Sequence, residues 1–327
     1  MAEPSPWRFS AILWSVLALL VGLTAAFALN HQQQRRQVEE QAFVRGELAT
    51  KTYAALEARL RSAEGLLRAV QTLFLASDVV TSSEFATFYT NLRPREQVPG
   101  MRALAYARRE PADRGDHYVT RWVEPTAGND AVVGLDVAAQ PSNLAGLLAS
   151  RDSDAATLSA PFRLVQQAES ATVDDGITFR LPVFSPGKPP QTAEQRRQRI
   201  RGSVAMSFSV STMIRSAIPD DVNRQLRLQL TDINDPAHVL LLVDSSPGTP
   251  ELTGDYRFQR PLTYGGRTWQ VVLSPLPSEG AISSWENSTL PAGVLASVLL
   301  AMLVYSMVGT RQRALELGWQ MSRRYRE

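Results

Sequence analysis

Two stretches of the chain carry no charge and almost no polar side chain. Residues 10–30 read SAILWSVLALLVGLTAAFALN and residues 290–310 read LPAGVLASVLLAMLVYSMVGT. About 20 such residues in a helix cross the hydrocarbon core of a bilayer, so both predict transmembrane helices. A cleaved signal peptide is the other reading of the first, because Ala26-Phe27-Ala28 has the small-x-small form of a cleavage site. The length of the run, the single preceding Arg8 and the helical pattern that continues past it favour an uncleaved anchor. Arg311, Arg313, Arg323, Arg324 and Arg326 follow the second stretch. Positive charge close to a span marks its cytoplasmic side. The pattern therefore predicts residues 1–9 and 311–327 inside and residues 31–289 outside.

Between the spans the periodicity alternates between helical and strand-like. Residues 31–76 are helical in pattern, with Tyr53, Leu56, Leu60, Ala63, Leu67, Val70 and Phe74 at spacings of three and four. That is either the seam of a coiled-coil stalk or the buried face of a helix lying on its own domain. Thr81-Ser82-Ser83-Glu84 has the form of a capping box opening a second helix. Strands are expected at 101–107, 158–165, 177–184 and 202–210, and helices at 143–151 and 211–218. The arginine-rich segment 191–201 is expected as a solvated loop or hairpin tip. A second unit begins near Asn223, where Leu226, Leu228 and Leu230 alternate with Arg227 and Gln229. Strands at 239–243, 256–262 and 268–273 follow, the last two joined across Tyr264-Gly265-Gly266-Arg267 as a hairpin. The fold class predicted is α+β: a long helix followed by two antiparallel-sheet units, bracketed by transmembrane helices.

Composition excludes several functions. The chain has 327 residues, 44% hydrophobic and 20% charged, with a net charge of +2, so bulk charge gives no support to nucleic-acid binding. Its cations are nearly all Arg, only Lys51 and Lys188 being Lys, a skew that fits a GC-rich bacterial genome. Cysteine is absent, which removes disulfides, thiolate nucleophiles and Cys-ligated metals. His31, His117 and His238 lie far apart without metal-ligand spacing, and there is neither a Gly-x-Ser-x-Gly elbow nor a phosphate loop. Asp174-Asp175 before Gly176 reads as a turn, and the sequon Asn287-Ser288-Thr289 as chance in a bacterial chain. No catalytic residue, metal site or cofactor is predicted. Ala314, Leu317 and Met321 continue a helix past the second span, either the start of a coiled coil or a basic helix on anionic lipid.

Four stretches in order carry a resemblance: Pro99-Gly100-Met101-Arg102-Ala103-Leu104-Ala105-Tyr106-Ala107, Leu158-Ser159-Ala160-Pro161-Phe162-Arg163-Leu164, Arg180-Leu181-Pro182-Val183-Phe184, and residues 202–210, with residues 228–235 following. Over about residues 75–275 the chain resembles the CHASE family, the extracytoplasmic sensor of plant cytokinin receptors and many bacterial receptors. The resemblance implies a stalk helix at 31–76, a membrane-distal PAS-like ligand-binding unit at 77–219 and a membrane-proximal PAS-like unit at 220–286. It also implies a homodimer in the bacterial inner membrane, with a histidine kinase or a cyclic-di-GMP enzyme as output. Residues 311–327 are too few to hold such a domain.

The same resemblance marks a pocket. The Asp that reads the adenine ring in cytokinin receptors falls on Asn143, a Leu whose backbone meets the ligand on Val165, and a Thr of the following strand on Arg180. Asn143 can donate and accept but lacks a carboxylate. In Ile177-Thr178-Phe179-Arg180-Leu181, alternation puts Thr178 and Arg180 on one face. If that face lines the pocket, the guanidinium can clamp a carboxylate or phosphate; otherwise Arg180 faces solvent or pairs with Asp174 or Asp175. Asn143 has a second reading as a helix cap after Pro141-Ser142. Ser159 and Tyr106 complete the candidate set, with core or hydrogen-bond support as their other reading. The expected partners are a lipid bilayer and an anionic or adenine-like small molecule. The expected function is a transmembrane sensor signalling to an output domain outside this chain. The alternative is a complete tethered binding protein acting through a separate cytoplasmic partner.

Overall fold

The computed structural model describes residues 6–111, 116–165, 176–249, 257–276 and 289–324. Asp174, Asp175, Asn287, Ser288, Tyr256 at the start of the strand expected at 256–262 and the terminal Arg326 lie outside them. In chain order the elements are α1 (Pro6–Leu75), α2 (Ser82–Leu92), α3 (Pro94–Gln97), β1 (Met101–Pro111), β2 (Asp116–Glu124), α4 (Pro141–Ser153) and β3 (Thr157–Leu158). There follow β4 (Gly176–Phe184), α5 (Ala193–Arg199), β5 (Ile200–Ser209), α6 (Val210–Arg215), α7 (Asp220–Gln225), β6 (Leu226–Asp232), β7 (Leu240–Asp244), β8 (Phe258–Tyr264), β9 (Arg267–Pro275) and α8 (Leu290–Arg324). Two 3-10 turns, Asp130–Val132 and Val137–Ala139, lie between β2 and α4.

Residues 45–276 form one compact unit. It holds two antiparallel sheets, one of order β2-β1-β5-β4-β3 and one of order β7-β6-β9-β8. The expected boundary at 219/220 falls between α6 and α7, where the chain passes from the first sheet to the second. Their junction is hydrogen-bonded: the N–H of Leu158 donates to the carbonyl of Gly265, in the turn of the β8–β9 hairpin, at 2.8 Å. Gly265 and Gly266 both have positive φ, 55° and 77°, which is what a two-residue turn between Tyr264 and Arg267 demands. A Cβ at Gly265 would also sit 2.9 Å from the side chain of Leu158.

The second half of α1 belongs to this unit. Leu56, Leu60, Ala63, Leu67 and Val70 are fully buried in one core with Phe179, Met206, Phe208 and, from the second sheet, Leu228 and Leu262. Each buried Leu stabilises the unit by about 2 kcal/mol. The three-four seam of this stretch is thus the buried face of a helix on its own domain. Earlier in α1, Val38 and Phe43 are exposed. The capping box forms as its sequence predicts, with Thr81 and Glu84 exchanging hydrogen bonds at the start of α2.

Three local expectations differ. Residues 191–201 contain helix α5, opened by a second capping box between Thr192 and Gln195; T-x-x-Q is the same signal as at Thr81. The strand expected at 158–165 is only Thr157–Leu158, with one further bridge from Phe162 to Gly176, because Pro161 has no N–H for a ladder. β2 was not foreseen: the turn-forming residues around it obscure its alternation.

Asp232 organises the second sheet. It is buried at the end of β6, where Arg267 donates to it twice, at 2.7 and 2.8 Å, and the indole of Trp269 donates at 3.2 Å. The Asn234 N–H is a fourth donor, at 3.0 Å.

The other compact unit comprises residues 1–44 and 277–327. Its described parts are the start of α1 and α8, which pair antiparallel. A Cβ at Gly22 would sit 2.6 Å from the Ser297 hydroxyl, and one at Gly293 would sit 2.6 Å from Ala26, so small residues let the backbones approach. At the two ends of the pair Gln312 donates to Ser10 at 2.6 Å and Thr289 to Asn30 at 3.5 Å. Both helices are long and apolar enough to cross a membrane, and Leu20, Phe27, Leu299 and Met302 point outward.

Replacing Asp232 with Ala leaves the half-buried Arg267 guanidinium without its carboxylate. We expect a loss of about 3–5 kcal/mol, read as a lower denaturant midpoint of the full chain.

Candidate ligand-binding site

The first sheet is built from strands that alternate large and small. Leu104 and Tyr106 in β1, Val204, Met206 and Phe208 in β5, and Ile177, Phe179 and Leu181 in β4 share one face, packed in the core with α1. Ala103, Ala105, Ala205, Ser207, Thr178 and Arg180 occupy the other face and line a cavity of about 40 Å³. All nine residues of β4 are buried, so the alternation separates two covered faces rather than a core from water.

The cover on the small-residue face comes from α4 and from loops. Gly146 lets α4 sit close, since a Cβ there would lie 3.2 Å from Ser159 Cα. Thr157 donates to the Gly146 carbonyl at 2.6 Å, and Ser150 to the carbonyl of Arg180 at 3.1 Å, which fixes α4 across β3 and β4. The segment between β2 and α4 is tied to β2 by two Thr120–loop hydrogen bonds of 2.9 Å, with Leu135 and Gly134, and by the His117–Asp136 contact. It supplies Val132, Leu135, Val137 and Gln140 to the cavity, and Phe162, Leu164 and Val165 close it from the loop after β3. The volume admits roughly two or three waters or the charged end of a ligand.

Arg180 is the one cationic side chain among the lining residues, and it is 3% exposed. Its Nε donates to Asn143 Oδ1 at 2.7 Å and its Nη1 to Ser203 Oγ at 3.4 Å. Both partners are neutral. Among the described residues no carboxylate meets it, and burial pushes its pKa down to about 9, so it remains cationic at neutral pH. Asn143 lies in the first turn of α4 but does not cap it. Its amide donates to Gln140 Oε1 at 2.8 Å, which leaves its oxygen for Arg180.

Of the six residues expected from the sequence, the structure gathers Asn143, Val165, Thr178 and Arg180 around this cavity. Ser159 stands behind it, its hydroxyl accepting from the N–H of Thr178 at 3.0 Å. Tyr106 lies on the opposite face, stacked on Phe74 with ring centroids 4.1 Å apart, because period two sends Ala105 and Tyr106 to different sides of β1. Gln140 and Thr120 were not anticipated. The alternation of Ala and Ser with large apolar residues in residues 101–107 and 202–210 carried the signal for a hollow on the small side.

The CHASE domain model matches residues 78–242, half of the chain. The chain belongs to the CHASE family. No curated protein matches it. Among solved structures, the periplasmic sensory domain of the Campylobacter jejuni chemoreceptor Tlp1 is similar at 10% identity, over 75% of this chain and 96% of that one, with a TM-score of 0.42. The CHASE match contains the whole of the first sheet and the cavity at Arg180. CHASE is a sensor domain, and no catalytic domain is evident among the described residues.

A buried guanidinium without a counter-ion costs stability. Arg180→Met is therefore expected to raise the stability of the ligand-free chain by about 1 kcal/mol or more, the orphaned Asn143 oxygen offsetting part of the gain. The unfolding midpoint of the full chain in lipid nanodiscs measures this; a lower midpoint would mean that Arg180 serves the fold.

Proposed function

We propose that this chain is the sensing part of a membrane-anchored receptor, binding a small anionic molecule outside the cytoplasmic membrane at Arg180. The observation that carries the reading is the cationic side chain of Arg180, held in a cavity by partners that, among the described residues, are all neutral. A planar guanidinium presents paired N–H donors that match a carboxylate or phosphate. Asn143, Gln140, Thr120 and Thr178 offer further polar contacts, and Val132, Leu135, Val137 and Phe162 an apolar wall. The site thus suits an anionic group on a compact apolar body.

Residues 10–30 and 290–310 are the spans in this reading, with residues 31–289 outside and the arginines after residue 310 at the cytoplasmic side. Uncharged length and the positive-inside bias support it. The output is a cytoplasmic domain beyond this chain. Ligand affinity must differ between two arrangements of the receptor for any signal to pass. The chain itself offers a route: α1 runs without interruption from the apolar pair with α8 into the core beneath the first sheet.

The test is a panel of small anions, acetate, propionate, benzoate and inorganic phosphate, added to the full chain in nanodiscs. At about 100 times its Kd a ligand of the folded state stabilises by about 2.7 kcal/mol. At least one anion should raise the unfolding midpoint of the wild type and leave Arg180→Met unmoved. In an Asn30→Cys/Thr289→Cys variant, clean because the chain has no native cysteine, the same anion should change the rate of disulfide formation. An equal shift in both proteins removes Arg180 from the site; a shift with an unchanged disulfide rate separates binding from transmission.

A further inference from the structure

A second cleft opens on the other face of the first sheet, where α1 ends. It encloses about 840 Å³ and is open to solvent. Its floor is aromatic, Tyr106 stacked on Phe74 at 4.1 Å with the rings 22° from parallel. The half-buried Trp122 forms a wall, and Val79, 74% exposed, stands at the mouth.

Four arginines line this cleft, in two kinds. Arg109 is paired with Asp116 at 2.8 Å and Arg121 with Glu110. Arg108 is exposed and meets no carboxylate among the described residues, and Arg201 donates to a backbone carbonyl, that of Asp78, at 2.6 Å. Asp78 contributes the lining's one acidic side chain. Among the described residues, two guanidinium charges therefore face the cleft without a paired carboxylate.

Tyr106 is the second observation. It is 7% exposed, yet its hydroxyl has no hydrogen-bond partner among the described residues. The hydroxyl oxygen itself is not buried but opens on the cleft, where a ligand can meet it. Its position is built: a Cβ at Gly202 would lie 2.8 Å from the Tyr106 hydroxyl and 2.3 Å from the Ala107 carbonyl, so only glycine leaves the ring room. The phenol is pushed above its usual pKa, chiefly by burial, with Arg201 and Arg108 close enough to oppose the shift. It is thus a neutral donor beside two cations.

We infer that this cleft binds a planar aromatic anion: the ring against Phe74, Tyr106 and Trp122, the anionic group between Arg108 and Arg201, with the Tyr106 hydroxyl donating to it. Flat rings gain from offset or edge contacts with aromatic side chains, and guanidinium pairs take carboxylate and phosphate alike. The site is separate from the Arg180 cavity, since adjacent residues of β1, Ala105 and Tyr106, line one each.

Phenyl phosphate tests the inference, titrated calorimetrically into the full chain in nanodiscs, with inorganic phosphate and phenol as half-probes. Phenyl phosphate should bind at least tenfold tighter than either half. Arg108→Gln, which breaks no hydrogen bond or ion pair among the described residues, should weaken it at least fivefold, and Arg108→Gln with Arg201→Gln at least thirtyfold. Tyr106→Phe keeps the stacked ring and should weaken it about threefold. Arg180→Met should leave it unchanged, which keeps this result independent of the Arg180 cavity. Absence of binding, equal affinity for phosphate alone, indifference to Arg108→Gln and Tyr106→Phe, or loss in Arg180→Met would each overturn it.

Discussion

Strands β4 and β5 of the first sheet are buried on both faces, and the covers differ in kind. On one face Leu104, Val204, Met206 and Phe179 interlock with Leu60, Leu67 and Val70 of α1, large side chains against large. On the other, Ala103, Ala105, Ala205 and Ser207 are too small to fill the space beneath α4 and the loops around it. The chain order of large and small side chains thus fixes where packing is complete and where a hollow remains. The hydrophobic effect holds the sheet from the α1 side, which leaves the small side free to carry a buried charged group.

Arg180 is that group. A long cationic side chain among Ala, Thr and Ser fills part of the hollow, and its nearest partners, Asn143 and Ser203, orient it without neutralising it. An interior charge of this kind is costly in the empty state. The cost is tolerable because the large-residue face, the capped helices and the Asp232–Arg267–Trp269 cluster supply stability elsewhere. Sites that trade stability for a ready-made binding group have this character. The belonging to the CHASE family gives the same region of the chain a sensory role.

Much of this was legible in the residues. The two apolar stretches, the capping box at Thr81, the glycine-pair hairpin and the face shared by Thr178 and Arg180 follow from local rules of period and turn chemistry. The seam from Leu56 to Phe74 could equally have served a partner helix. Only tertiary packing distinguishes those cases, because both present the same stripe. Asn143 was readable as a cap, since Pro141-Ser142 precedes it; Gln140 instead occupies its amide and turns its oxygen to Arg180. Tyr106, a candidate with core support as its other reading, lies on the core face, because adjacent residues of a strand point to opposite sides. The cleft it lines stayed hidden because Phe74, Trp122 and Arg201 are far apart in sequence.

In the function proposed above, the guanidinium of Arg180 is held for an anion that the described residues do not supply. A crystal structure of the full chain with a stabilising anion tests this most directly. Oxygen atoms of that anion should lie about 2.7–2.9 Å from Arg180 nitrogens, inside the cavity bounded by Asn143, Thr178 and Val165. A carboxylate of the chain's own pressed against Arg180, or an anion bound elsewhere with the cavity unchanged, would contradict it.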